Sequence, residues 1–400
     1  GSEMCIRDRC YLDNAATTRV LDSVIDIMNE TMRTAYGNPS SKHIKGFEAE
    51  RYVEEAREKI AKTLKAKKSE IIFTSCGTES NNQAIIMGAA TRKRYGNKIV
   101  TTCFEHASVF QSVEVLAKEG YDITYLPVDK LGHIRDEDLL KSIDSETIML
   151  SFMLVNNEIG ALADAEHIIK LAKEKNPDIL IHIDAIQGYG KFEINTKKLG
   201  ADFISVSGHK FHAPKGIGFL YVRDGVRITP YIHGGGQQKN LRSGTLNVPG
   251  IAAIGAAAKA IYEGHKEKMD KLYAIKEKFI RDLLTAFPDC TINGVATEGN
   301  LSENVRKTAP QIVSVSFRGV KAEVLLHALE EKGIYVSSGS ACSSHHPDFS
   351  GTLKGIGLND DLLDSTLRFS FGLFTEQEMT DYAIEALKEL VPTLSKYRRR

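Results

Sequence analysis

Several polar residues that could carry chemistry directly follow short apolar runs that predict buried strands. The run DFISV is followed by SGHKFHAPKG, which places His209 and Lys210 just beyond it. The run LIHI ends at Asp184, and KIVTTC is followed by FEHASV, which contains His106. Because ligands bind beyond the carboxyl ends of strands in parallel α/β sheets, we expect these groups to meet. A nucleophilic lysine, a carboxylate and an imidazole together suit covalent and proton-transfer chemistry.

An anion site is predicted near the start of a helix. The run EIIFTS is followed by CGTES, a Gly-Thr turn at Gly77 and Thr78 that opens a helix at about Glu79. Backbone N–H groups at such a helix start bind anions, and Thr78 adds a hydroxyl. The alternative is a helix cap without a ligand. Likewise, Lys210 alone could be a solvated loop lysine and His106 a structural histidine.

One cofactor explains why an anion site, a carboxylate and a lysine would converge. Pyridoxal phosphate needs a phosphate site, a lysine for its Schiff base and a carboxylate partner for its pyridinium nitrogen. Asp184 would keep that nitrogen protonated, and an apolar pocket would lower the pKa of Lys210 enough for attack on an aldehyde. The amides of Asn157 and Gln187 suit the ring hydroxyl, and His106 would stack on the ring or move protons. We therefore predict pyridoxal phosphate, bound covalently to Lys210.

The elements that position these residues alternate between strands and helices. Apolar runs predict strands at 70–75, 98–103, 122–127, 147–155, 180–185, 202–207 and 216–222. Residues at helical spacing predict helices at 47–66, 79–96, 108–120 and 164–176, and a long helical stretch at about 250–285. This alternation is typical of an α/β fold with a mostly parallel seven-stranded sheet between helices.

Two domains are expected in a chain of 400 residues. We predict a large domain over 20–262 and a smaller α+β domain that combines 11–19 with 263–400. Residues 1–10, with Cys5 and Cys10, resemble a tag or assembly remnant and are left out of the fold, with a C-x4-C metal pair as the alternative.

Charge and cysteine content exclude several classes of function. Lys+Arg and Asp+Glu both number 52, so no net charge directs the chain to nucleic acid or to an anionic membrane. The apolar runs fall far short of the roughly 20 residues of a membrane helix. Six cysteines in this length do not form a disulfide framework. We expect a cytoplasmic protein with no bound metal.

The order of motifs along the chain resembles a known family. GNPSS (37–41), TSCGTES (74–80), VNNEIG (155–160), SGHKFHAPKGIG (207–218), RSGT (242–245) and SSGSACSS (337–344) follow one another in order. They resemble the cysteine desulfurases of the NifS/IscS group, which belong to the class V aminotransferases of fold-type I. The resemblance extends from YLDNAATT (11–18) to RFSFG (368–372).

This resemblance implies roles for individual residues. Lys210 matches the Schiff-base lysine, and Arg368 matches the arginine that holds the substrate carboxylate, with Asn38 as a neighbour of the substrate. Thr245 would reach the phosphate of the neighbouring subunit, which implies a homodimer with shared sites. The cofactor-binding set implied in this way is Gly77, Thr78, His106, Asn157, Asp184, Gln187, Ser207, His209, Lys210 and Thr245.

Cys342 matches the cysteine that takes sulfur from L-cysteine and becomes a persulfide, with L-alanine as the other product. The segment of about 337–355 around it resembles the long-loop class, whose cysteine reaches a sulfur-acceptor protein such as an iron–sulfur scaffold. Its thiol needs a proton acceptor, for which His106 is the candidate. His345 and His346 make a Cys/His metal site conceivable, and the reactivity of Cys76 is open.

Other functions remain open at the level of sequence. A selenocysteine lyase, or another class V lyase or aminotransferase, would keep Lys210 and Asp184 but would not require Cys342. A noncatalytic partner on the same fold would be expected to lose the lysine or the cysteine, and this chain has both.

Overall fold

The computed structural model describes residues 10–339 and 351–397. Its strands are β1 (Cys10–Tyr11), β2 (Ile71–Thr74), β3 (Lys98–Thr102), β4 (Asp122–Leu126), β5 (Thr147–Met153), β6 (Leu180–Asp184), β7 (Phe203–Ser207), β8 (Gly218–Val222), β9 (Thr291–Asn293), β10 (Ile312–Ser316), β11 (Ile334–Tyr335), β12 (Ser337–Ser338) and β13 (Thr366–Ser370).

The largest sheet contains seven strands in the order β2-β8-β7-β6-β5-β3-β4. Strands β3 to β7 run parallel to one another, whereas β8 runs antiparallel to both β7 and β2. Every residue of β5 to β8 is buried, because alternate side chains enter apolar clusters on opposite faces of the sheet. The predicted mostly parallel seven-stranded α/β sheet is confirmed.

The helices are α1 (Asp22–Thr34), α2 (Ile44–Leu64), α3 (Gly77–Asn82), α4 (Gly88–Ala90), α5 (Ala107–Lys118), α6 (Asp136–Ser142), α7 (Ala165–Lys175), α8 (Thr196–Leu199), α9 (Val248–Tyr262), α10 (His265–Ala286), α11 (Leu301–Arg306), α12 (Ala322–Glu331), α13 (Gly351–Gly355), α14 (Asp360–Leu363) and α15 (Gln377–Tyr397). Side-chain caps open several of them; Asp164, for example, accepts a hydrogen bond from the His167 N–H at the start of α7.

Two predicted helices differ from the structure. The helix predicted at 79–96 passes through a π-helical turn (Gln83–Met87) and ends with α4 at Ala90. The chain then turns so that Gly96 lies against Glu146, where a Cβ would be 2.2 Å from the carbonyl oxygen of Glu146. The long stretch at about 250–285 is two helices, because Gly264 adopts a φ of 59° between α9 and α10.

A smaller antiparallel sheet, β12-β13-β10-β9, packs with α10, α12 and α15 around a second apolar core. Strand β1 pairs in parallel with β11, and Asp13 bridges to Ser370 on β13. The N-terminal segment thus pairs with the C-terminal part of the chain. The exclusion of residues 1–10 from the fold was wrong for Cys10, which is fully buried in this second core. The domain boundaries themselves stay a prediction.

None of the helices in the described part of the chain combines the length and apolarity needed to cross a membrane.

Candidate active site

A cavity of about 280 Å³ lies beyond the carboxyl ends of β5, β6 and β7. The last residue of each of these strands contributes to its wall. The cavity lining contains these residues predicted from the sequence: Gly77, Thr78, His106, Asn157, Asp184, Gln187, Ser207, His209, Lys210 and Arg368. A larger cavity of about 620 Å³ has a mainly apolar wall and, among the described residues, contains none of that set.

Lys210 ends the short 3-10 turn Gly208–Lys210 that directly follows β7. Its Nζ donates hydrogen bonds to the carbonyl oxygens of Ala15 at 2.7 Å and Ala16 at 2.8 Å. A second lysine stabilises the turn: the buried Nζ of Lys191 donates a hydrogen bond to the main-chain carbonyl of Lys210 at 3.1 Å. Burial, together with the nearby charge of Lys210, lowers the pKa of Lys191 to about 8.

Asp184 ends β6 and is only 3% exposed. Its Oδ1 accepts from the Ile186 N–H at 3.0 Å, and its Oδ2 accepts from Asn81 Nδ2 at 3.0 Å. Burial raises the pKa of Asp184 above its ordinary value, against the opposing effects of these bonds and of His106 and Lys210. A cation placed in the cavity would supply the countercharge that a buried carboxylate needs, as a protonated ring nitrogen does. The residues present therefore fit pyridoxal phosphate.

His106 is the N-cap residue of α5. Its Nδ1 accepts from the Ser108 N–H at 3.1 Å and lies 2.8 Å from Ser108 Oγ. Burial lowers the pKa of His106, and the charge of Lys210 acts in the same direction, whereas Asp184 opposes both. The ring lines the cavity between these two charged groups.

Four of the predicted phosphate residues line the cavity: Gly77, Thr78, Ser207 and His209. Gly77 begins α3, and a Cβ at this position would be 2.3 Å from Ile186 Cδ1 and 3.2 Å from Ser207 Cβ. Only glycine therefore leaves the packing of this wall intact. The His209 Nδ1 lies 3.1 Å from Thr17 Oγ1, and burial lowers the pKa of His209 to about 4. Neutral His209, hydroxyls and main-chain N–H groups are suitable partners for a phosphate.

Arg368 on β13 reaches the cavity from the smaller sheet and is 6% exposed. Its Nη1 donates to the Asn157 carbonyl at 2.7 Å, and its Nη2 lies 3.3 Å from Asp13 Oδ1. Its Nε is buried and has no hydrogen-bond partner in residues 10–339 or 351–397. The guanidinium thus retains capacity to bind an anion, although Asp13 already shares its charge.

Three predicted residues are not placed in this cavity. Asn38 is exposed, and its Oδ1 accepts from the Ser40 N–H at 2.9 Å. Thr245 is also exposed and does not line the cavity of its own chain. Cys342, like His345 and His346, lies outside the described residues. Cys76, whose role was left open, does line the cavity.

Sequence reasoning missed several residues that hold the site together. Asn81 and Ser108 connect Asp184 to His106, and Lys191 supports the Lys210 turn. Gln187 lines the cavity, and its Nε2 also donates a hydrogen bond to the Ala15 carbonyl at 2.8 Å. The signal available in the sequence was proximity: Asn81 and Ser108 stand within four residues of Gly77 and His106.

Comparison with known proteins agrees with this geometry. The family model described as aminotransferase class-V matches residues 10–382. The chain belongs to this family. Its membership confirms the prediction of pyridoxal phosphate as cofactor.

Relatives and solved structures match this family member over almost its whole length. The chain is 41% identical to "Cysteine desulfurase IscS" of Dictyoglomus turgidum over 385 residues. This alignment covers 96% of the chain and 95% of the relative. A "Cysteine desulfurase" of Nostoc sp. is 38% identical over 386 residues, 96% of this chain and 93% of the relative. A solved NifS-like protein superposes with a TM-score of 0.88 at 36% identity, over 96% of this chain and 99% of that one. The structure titled "SspA in complex with cysteine" superposes with a TM-score of 0.76 at 31% identity, over 92% and 99%.

Proposed function

We propose that this protein is a pyridoxal-phosphate-dependent cysteine desulfurase, which removes sulfur from L-cysteine, releases L-alanine and forms a persulfide on Cys342. The observation that carries the proposal is the meeting of Lys210, Asp184 and Arg368 in one cavity. They are, respectively, an amine for a Schiff base, a carboxylate for the ring nitrogen and a guanidinium for the substrate carboxylate. The named cysteine desulfurases at 38–41% identity support the reaction, and the cysteine-bound neighbour supports the substrate.

Each residue has a distinct task in this reaction. When bound, the cofactor supplies an electron sink for a carbanion at the substrate α-carbon. Asp184 would hold a positive charge in the ring, because its buried carboxylate is most stable beside a cation. Lys210 would hold the cofactor covalently through its Nζ amine. Gly77, Thr78, Ser207 and His209 would hold the phosphate, Asn157 and Gln187 would contact the ring, and His106 would stack on it and move protons.

The sulfur transfer step is assigned to Cys342 on the basis of its motif and of the relatives. The Cys342 thiolate attacks the substrate sulfur, so that an S–S bond forms and the substrate C–S bond breaks. The bonding electron pair stays with the carbon, which is later protonated to give alanine. A sulfur-acceptor protein then takes the persulfide sulfur for iron–sulfur clusters, thiolated tRNA or sulfur-containing cofactors.

A homodimer with shared sites is part of the proposal. Four apolar side chains are strongly exposed within residues 32–47 and form what we call the N-terminal apolar patch: Met32, Tyr36, Ile44 and Phe47. Exposed apolar surface of this kind is typical of an interface. Thr245, which stands outside its own cavity, would then reach the phosphate of the partner subunit, and Asn38 would lie near the substrate.

The cytoplasm is the proposed location. Cys10, Cys76, Cys103 and Cys290 are free thiols, as expected in a reducing compartment.

Mass mapping of Cys342 tests the proposed reaction. The purified enzyme is incubated with L-cysteine without reductant and its peptides are analysed. We expect one additional sulfur on the Cys342 peptide, which is absent from a Lys210→Ala variant and retained in a Cys76→Ser control. An unmodified Cys342 beside an intact Lys210 linkage would contradict desulfurase chemistry.

The same preparation separates the alternative class V reactions. A selenocysteine lyase or another class V lyase does not need Cys342, so its alanine release would survive Cys342→Ala. A desulfurase would lose sulfur transfer from L-cysteine in that variant.

A further inference from the structure

We infer that Asn81 and Ser108 are positioning residues that hold neutral His106 with its ring proton on Nε2, so that resting His106 presents an N–H hydrogen-bond donor, and no free lone pair, to the cavity. This inference deepens the proposed function, on which the assignment of His106 to proton transfer rests. It differs from the role predicted from the sequence, in which His106 accepts the proton of the Cys342 thiol.

The Nδ1 atom of His106 can act only as an acceptor. The backbone N–H of Ser108 points at Nδ1 from 3.1 Å as part of the N-cap of α5. A backbone N–H can only donate, so Nδ1 must offer its lone pair. The ring proton of a neutral imidazole then has to be on the other nitrogen, Nε2.

The hydroxyl of Ser108 lies 2.8 Å from the same Nδ1. The Oγ of Ser108 accepts a hydrogen bond from Asn81 Nδ2 at 2.9 Å. Because Nδ1 carries no hydrogen, the 2.8 Å contact is a hydrogen bond that the Ser108 hydroxyl donates to His106. Two donors therefore converge on Nδ1.

The orientation of the Asn81 amide is set by its two hydrogen-bond partners. Its Nδ2 also donates to Asp184 Oδ2 at 3.0 Å, and Asn81 is fully buried. The flipped amide would place an oxygen against the carboxylate oxygen of Asp184, which is repulsive. The Asn81 Oδ1 has no partner in the described residues. Asn81 therefore makes its side-chain hydrogen bonds through the two N–H groups of Nδ2. The chain of donors thus runs from Asn81 to both Asp184 and Ser108, and from Ser108 to His106.

This arrangement limits what His106 can do first. A second proton on the ring would place an Nδ1–H against the Ser108 N–H and break the helix cap. The two charged groups that act on the ring, Lys210 and Asp184, have opposite effects, and burial disfavours the imidazolium. In this resting state Nε2 donates a hydrogen bond into the cavity and has no lone pair with which to accept a proton there.

The test is the tautomer of His106, observed by NMR in full-length protein labelled with ¹⁵N in its histidine rings. His106→Gln identifies the His106 signals among those of the 12 histidines. The measurement is made on the holoenzyme and repeated after the cofactor is removed. We expect the Nε2–H form to exceed the Nδ1–H form by about tenfold, the effect of one net hydrogen bond. A dominant Nδ1–H form would overturn the inference.

A pair of variants tests the roles of Ser108 and Asn81. Ser108→Ala removes one donor to Nδ1 and is expected to shift the titration midpoint of His106 upward. Asn81→Ala is expected to act in the same direction, because it leaves the Ser108 hydroxyl free to turn away. Ser112→Ala is the matched control on α5, since its Oγ donates only to the Ser108 carbonyl at 2.7 Å. Equal midpoints in all three variants would refute the positioning roles.

Failure of this inference can be told apart from failure of the proposed function. The tautomer and the titration midpoint are read without turnover. A missing persulfide on Cys342 would contradict only the desulfurase reaction, and an Nδ1–H tautomer beside a normal persulfide would contradict only the role of His106.

Discussion

Two buried carboxyl groups, Asp184 and Glu105, have different surroundings. Asp184 accepts two hydrogen bonds on its two oxygens and faces the cavity. Glu105 is 6% exposed; its Oε1 accepts from Thr102 Oγ1 at 2.5 Å and from the Met153 N–H at 3.2 Å, but its Oε2 has no partner in the described residues. Burial, with a contribution from the charge of Asp184, raises the pKa of Glu105 to about 8. A pKa of about 8 keeps the Glu105 carboxyl mainly protonated at neutral pH.

This difference predicts a pH-dependent effect of Glu105→Gln on stability. The folded protein holds the Glu105 proton up to a pKa of about 8, whereas the unfolded chain releases it near 4.5. The wild type therefore loses stability as the pH rises between these values, by up to roughly 1.4 kcal/mol per pH unit. The neutral glutamine has no such loss. We expect the variant to gain in melting temperature relative to wild type between pH 5 and pH 8, and a pH-independent difference would show that Glu105 is ionised in the folded state.

At the scale of elements, strand direction explains where Lys210 lies. Strand β8 reverses against β7, so the two are joined by the short segment 208–217 instead of a crossover helix. Lys210 is therefore held close to the end of β7. The parallel neighbour β6 brings Asp184 to the same edge.

The break between α9 and α10 predicts a stability effect at Gly264. Its φ of 59° lies in the left-handed region, and a Cβ there would meet no atom within 4 Å. Gly264→Ala is thus expected to lower the free energy of unfolding by about 1 kcal/mol through backbone strain alone. Gly264→Asn is the graded control, because asparagine tolerates this conformation better. Urea unfolding of the three proteins measures the order, and an alanine variant as stable as wild type would contradict the strain.

At the scale of the whole molecule, the single chain leaves its apolar patch and Thr245 exposed. Tyr36 is 70% exposed, Ile44 67% and Phe47 55%, which are high values for such large side chains. Both features are accounted for if a second copy covers the patch and receives Thr245.

The proposed dimer predicts that a charge in the N-terminal apolar patch weakens both association and cofactor retention. Phe47→Asp would bury a carboxylate in the interface, so we expect a larger monomer fraction in sedimentation equilibrium and faster loss of bound cofactor on dialysis. Val324→Asp is the matched control, because Val324 is 48% exposed on α12 of the smaller sheet region. A fully dimeric Phe47→Asp variant would exclude this patch from the interface.

The sequence alone determined the strands and the residues that follow them. Buried parallel strands are short apolar runs, and the polar residue that ends such a run must lie at the sheet edge, as Asp184 and Lys210 do. The same logic could not find the contacts of Lys210 with Ala15 and Ala16, because they join positions 195 and 194 residues apart.

Only the tertiary structure decided how the site groups are oriented. The proton position on His106 depends on where the Asn81 amide meets Asp184 and Ser108, and those contacts follow from the packing of α3 against α5 and β6. The inclusion of Cys10 in the second core likewise depends on the pairing of β1 with β11. Beside this pair, the Ser337 hydroxyl donates to Asp13 Oδ1, and these two residues are 324 positions apart in the chain. Local patterns specify elements because hydrophobic periodicity is local, whereas hydrogen-bond direction in a buried site is set by groups that only folding brings together.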